Sequence, residues 1–126
     1  MKFKEISRTA EFRRDFKRLL KRYKTLEDDL RNCIDSNLYL YHKLNLDNSS
    51  IFPISDLGFE EITFYKVKKF ACKSLKGTGA KSGIRLIYTN FTEEDRIELI
   101  EIYYKGDKKN ENRDRLKDYY KRYIRN

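Results

Sequence analysis

From Ile62 to Phe91 the chain carries Lys66, Lys68, Lys69, Lys73, Lys76, Lys81 and Arg85, and neither aspartate nor glutamate. Phe64, Tyr65, Val67, Phe70, Ile84, Ile87 and Tyr88 are interleaved with these cations. A solvated surface normally mixes its charges. A one-sign stretch on sheet-forming sequence therefore points to a polyanionic partner, with RNA or DNA first. One reaction such a surface supports is the cleavage of RNA by its own 2′-oxygen. That attack gives a 2′,3′-cyclic phosphate and a 5′-hydroxyl without metal or water. It requires a base, charge stabilisation at phosphorus and an acid for the leaving oxygen.

Histidine often does such proton work, but the sole histidine, His42, falls at a helix end and reads as a packing residue. Lysine is then the available base. Lys66 and Lys68 share one face of a strand, and close cations disfavour one another's protonated form. This pair is expected to hold the base and a phosphate contact, the plainer alternative being an exposed, solubilising face. Arg85, on the paired strand, can clamp the scissile phosphate through its planar fork. Lys69, Lys73, Lys76 and Lys81 extend the cationic surface along an RNA backbone. Tyr103 and Tyr104 straddle the two faces of the last strand, so one is expected to be exposed and to stack on a base, and Tyr104 is taken for that role. The stretch from Gly77 to Gly83 invites a phosphate-loop reading. It fails, because Leu75 and Ala80 stand where glycine is needed and a strand follows instead of a helix. No metal cluster, paired carboxylates or nucleophile elbow is apparent, and no metal or cofactor is expected.

These side chains need a sheet and its supports. Residues 2–7 read as a first strand. Phe12, Phe16, Leu19, Leu20 and Tyr23 then fall at helical spacing, with Ser7 or Thr9 as the cap. A second helix is expected to start at Thr25, with Asp28 as a capping partner, and to run through Leu26, Leu30, Cys33, Ile34, Leu38 and Tyr41 to about Leu44. The short joint predicts a helical hairpin. Residues 45–61, rich in Asn, Ser and Asp and holding the only proline, Pro53, read as a loop or excursion. Strands are predicted over 62–74, 84–91 and 97–104, with short connections that favour antiparallel neighbours. An amphipathic helix over 110–124 closes the chain. The order is β-α-α-β-β-β-α, an α+β class, in one domain over residues 1–126.

The composition agrees with a folded, anion-seeking domain. Lys and Arg number 29 against 20 Asp and Glu, a net charge of +9. A charged fraction of 39% would suit disorder if apolar residues were scarce, but they also make up 39%. Two cysteines, Cys33 and Cys72, are too few for a disulfide framework and read as thiols of a reducing cytosol. Neither a leader peptide nor a membrane span is expected, so the chain reads as soluble and cytoplasmic.

Four segments resemble the RelE/ParE superfamily of bacterial and archaeal toxins. Phe12-Arg13-Arg14-Asp15-Phe16-Lys17-Arg18-Leu19 is similar to its opening helix. His42-Lys43-Leu44 resembles the end of its second helix, and Lys66-Val67-Lys68 its basic central strand. Gly83-Ile84-Arg85-Leu86-Ile87-Tyr88 resembles its Gly-x-Arg-hydrophobic-hydrophobic-Tyr strand and is the most specific of the four. The resemblance implies a RelE-like fold and a toxin neutralised by an antitoxin protein. In the RelE branch it implies an endoribonuclease that cuts mRNA in the ribosomal A site, so mRNA and the ribosome are the further partners. It also implies a basic residue after the last strand, here Lys105. An arginine and a tyrosine near the C-terminus have as counterparts Lys108, Lys109 or Arg113, and Tyr119 or Tyr120. Tyr120 is taken as the catalytic tyrosine, with Lys108 and Lys109 as RNA contacts. The ParE branch implies a gyrase poison instead, and a catalytically inactive RNA-binding module of the same fold is the third reading.

Overall fold

The computed structural model describes residues 2–47 and 49–125; Met1, Asn48 and Asn126 lie outside the described residues. Strand β1 (Glu5–Arg8) leads into helix α1 (Ala10–Arg22). Thr9 is the cap, its hydroxyl accepting from the Phe12 N–H at 3.1 Å. Phe12, Phe16 and Leu19 form the buried stripe of α1, and Asp15 is buried among them. Helix α2 (Leu26–Cys33) continues through a π-helical turn over Ile34–Leu38 into α3 (Tyr39–Lys43). The expected Thr25/Asp28 capping pair does not form. The Thr25 hydroxyl bonds Asp29 at 2.7 Å, one residue further on, and Asp28 pairs with Arg31.

The sheet has five strands in the order β1-β5-β4-β3-β2. Strand β2 (Ile51–Pro53) is an edge strand inside the region expected to be a loop. Then come β3 (Phe64–Val67), β4 (Ile84–Phe91) and β5 (Arg96–Tyr104). Strands β2 to β5 pair antiparallel, but β1 joins β5 in parallel, so the sheet is mixed and not the antiparallel one expected. The predicted strand over 62–74 is regular for only four residues. Beyond Val67 the chain leaves the sheet and returns at Gly83, whose φ of +88° is a left-handed conformation that suits glycine.

Both faces of the sheet are covered. On one face Val67, Leu86, Tyr88, Ile97, Leu99 and Ile102 pack with Phe12, Phe16, Leu26, Leu30 and Leu38. On the other face helix α4 (Arg113–Arg125) sets Leu116 and Tyr119 against Phe64, Ile87, Ile100 and Tyr103. Two-sided burial explains the nearly continuous apolar run of β4. An irregularity at Ile87/Tyr88 pairs Ile87 with Glu101 and Tyr88 with Leu99, leaving Ile100 as the extra residue of a bulge. No helix among the described residues is long and apolar enough to cross a membrane.

Candidate nucleic-acid interface

The alternation of β3 puts Phe64 and Lys66 on the α4 face and Tyr65 and Val67 on the other. In register, Lys66 lies opposite Ile87, which lies opposite Glu101; Arg85 lies opposite Tyr103. Lys66, Arg85, Glu101 and Tyr103 therefore belong to one patch of sheet. Arg85 is oriented by the backbone beside it. One of its N–H groups donates to the Lys68 carbonyl at 2.9 Å, which fixes the plane of the guanidinium and leaves its other donors without a protein partner among the described residues. Lys68 is exposed just past β3, its ammonium 4.7 Å from the centroid of the Phe52 ring. That cation–π contact draws edge strand β2 into the site.

Lys66 is not the free ammonium expected. Its Nζ lies 2.6 Å from Glu111 Oε1, with the two side chains 15% and 6% exposed. Glu111 reaches it from the segment before α4, and its second carboxylate oxygen is 3.3 Å from Arg113. Burial alone would raise the Glu111 carboxyl; the Lys66 ammonium against it, with Arg113 adding, outweighs this and holds the group below its ordinary range. A second carboxylate, Glu101, is fully buried, contacts the Lys108 ammonium and accepts from the Asn112 N–H at 2.9 Å. The stretch without acids in sequence is thus answered in space by acids from elsewhere. Those two acids were not foreseen, and of the pair Tyr103 and Tyr104 the expectation fell on the wrong member for this face. The signal for Glu101 was an acid inside the apolar run of β5; Glu111, in a stretch without periodicity, offered none.

Tyr103 is 5% exposed and carries the Lys108 ammonium 5.0 Å from its ring centroid. Burial raises its hydroxyl, the charges of Glu111 and Glu101 add to this, and Arg85 opposes it. Tyr103 therefore stays a proton donor. Tyr104, the residue expected to stack on a base, faces the other way, with Tyr23 at 5.9 Å and the Arg22 guanidinium at 5.5 Å from its ring. A Cβ at Gly106 would stand 2.3 Å from its ring, and one at Gly83 3.0 Å. The glycine of the Gly83–Tyr88 strand thus serves both a left-handed backbone and the bed of an aromatic ring.

Lys105 and Lys109 are exposed, and the Lys105 N–H donates to the Gly83 carbonyl at 2.8 Å. Tyr120 is not brought to Arg85: it stacks on Phe59 with 4.0 Å between centroids and donates to Glu61. Lys69, Lys73, Lys76 and Lys81 are exposed on the excursion between β3 and β4. That excursion is pinned by Asp29, which accepts from the Lys73 N–H at 3.2 Å, and by Ser82, which donates to the Phe70 carbonyl. His42 is packed as expected: its Nε2 is 2.7 Å from the Tyr88 hydroxyl, and burial pulls its imidazole down to about 4. Cys33 and Cys72 are both buried free thiols, and burial pushes Cys33 up to about 12. No protein family, curated protein or solved structure matches this chain.

Proposed function

We propose that the chain is a RelE/ParE-type toxin and, within that type, a ribosome-dependent mRNA endoribonuclease held in check by an antitoxin protein. The observation that carries this reading is the set Arg85, Lys68 and Tyr103. It combines a guanidinium fixed by a bond to the Lys68 carbonyl, the exposed Lys68 ammonium on the Phe52 ring and a protonated phenol on the register partner of Arg85. The element order, a first strand and a helical pair ahead of antiparallel strands and a closing helix, supports a RelE-like fold.

In this reading the 2′-oxygen attacks phosphorus and the P–O5′ bond breaks. Arg85 and Lys68 meet the charge that builds on the phosphoryl oxygens, which are most negative in the transition state. Lys66, once freed of Glu111, adds its charge at the phosphate; the 2′ proton leaves to solvent, and Tyr103 donates to the departing 5′-oxygen and is reprotonated from water. Two tyrosines of the original expectation, Tyr104 and Tyr120, have no part in it.

Induced expression tests the reading. Growth should stop, and transcripts should carry new 5′-hydroxyl ends within coding sequence. Arg85→Ala should lower cleavage about 100-fold, the usual cost of losing one preorganised donor to a developing anion. Growth arrest with intact transcripts and altered plasmid supercoiling would replace it with a gyrase target. Salt-dependent RNA binding with no new ends would leave a binding module.

A further inference from the structure

We infer that Glu111 occupies, in the free protein, the seat that an RNA phosphate takes on Lys66, so that residues 105–112 form a strap which substrate must displace. The inference rests on the proposal that this face binds RNA, and it names how that face is regulated.

Three observations carry it. First, the pair is inaccessible: side chains 15% and 6% exposed leave no room for a phosphate at Lys66 while Glu111 stays. Second, the carboxylate is a poor tenant. Its Oε1 is close to Lys66 yet off the direction of a good hydrogen bond, and it is the one buried side-chain oxygen without such a bond among the described residues. A phosphodiester carries the same single charge, so the exchange conserves charge. Third, the strap is lightly tied. Residues 109–111 make no backbone hydrogen bond among the described residues. The root of the strap is fixed, the Lys105 N–H bonding the Gly83 carbonyl, the Asp107 and Lys108 N–H groups the Tyr104 carbonyl, and Asp107 pairing with Arg22. Beyond it the attachments use side chains, Lys66 with Glu111, Lys108 and the Asn112 N–H with Glu101, and Arg113 with the Ser55 carbonyl at 2.8 Å. Lifting it uncovers Lys66 and the Tyr103 ring together.

The probe is a fluorescein-labelled single-stranded RNA of about 12 nucleotides, a length that spans one such groove, titrated against the full chain over a range of salt. Glu111→Gln should bind about tenfold tighter, the worth of one added charge-assisted contact. Its log–log salt slope should steepen by about 0.7, that of one more phosphate on a single strand. Lys66→Met/Glu111→Gln should lose both gains while keeping the fold, because it leaves no unpaired buried cation. In the unaltered chain, saturating RNA should speed exchange of the Asn112 amide, which is bonded to Glu101 in the closed strap. The strap is overturned if the unaltered chain binds RNA, Glu111→Gln or the exchange rates show no change, and the assigned role of the face then stands. If neither chain binds RNA at low salt, both fall.

Discussion

His42 shows how a residue that looks chemical is spent on packing. Its ring makes edge contacts with Tyr41, Tyr65 and Tyr88 at 4.9, 4.8 and 5.5 Å between centroids, and its Nε2 serves the Tyr88 hydroxyl. Tyr88 is completely buried, so that hydroxyl would otherwise lack a partner. Desolvation lowers the imidazole to about 4, against about 6.5 in an unfolded chain. Below pH 6.5 the unfolded state binds a proton that the native state refuses. Stability is therefore full above that pH and falls as pH drops toward 4. After discounting for the part of the ring that water reaches, the loss by pH 5 is about 1 kcal/mol. Urea titrations at pH 7.5 and 5 should show it. His42→Gln, which keeps a bond to Tyr88, should flatten the difference, since the carboxylates titrate alike in both chains. An unchanged slope would mean that His42 titrates freely.

At the scale of elements, α1 and α4 meet where β5 has no strand beside it. Strand β1 pairs with β5 only from Arg96 to Leu99. Past that point Asp15 accepts from the Ile102 N–H at 3.4 Å, and Arg115 donates to the Ile100 carbonyl at 3.0 Å. The two side chains pair with each other at 2.6 Å, 7% and 16% exposed. An ion pair thus completes a sheet edge and ties two helices to it. Asp15→Ala should cost about 3 kcal/mol, because it strands a buried guanidinium. Asp15→Leu/Arg115→Met should recover most of that in equilibrium denaturation, and a double variant no better than the single would refute the pairing. Some of this level was legible beforehand. Helix α1 followed from its stripe and cap, and the pairing of the Lys66 strand with the Arg85 strand from their antiparallel order. Three things were not legible. The π turn at Ile34–Leu38 has no local signature; it is held by Asn37, which donates to the Lys69 carbonyl at 3.0 Å. Strand β2 contains a proline, tolerable only because it lies on an edge. The bulge at Ile100 shifts the alternation of β5, so counting along the strand could not say which of Tyr103 and Tyr104 would share the face of Arg85.

For the whole molecule, charge does two separable jobs. A net charge of +9 raises the encounter rate with any polyanion at low salt. Lys73, Lys76 and Lys81 belong to this long-range term: they are exposed, stand on an excursion outside the sheet and make no ion pair among the described residues. Arg85 and Lys68 belong to a short-range term, because they are oriented by a backbone bond and an aromatic ring. Screening separates the two. With a Debye length of about 8 Å at physiological salt, the excursion's contribution fades there, while a contact at van der Waals distance survives. Lys73→Ala/Lys76→Ala/Lys81→Ala should therefore weaken RNA binding severalfold at 50 mM salt, and its salt slope should be shallower by about 2. At saturation its cleavage rate should match that of the unaltered chain. Arg85→Ala should show the reverse: a small change in slope and a large loss of rate. Identical behaviour of the two variants would mean that the sheet face has no privileged phosphate, and that the chain binds RNA by net charge alone.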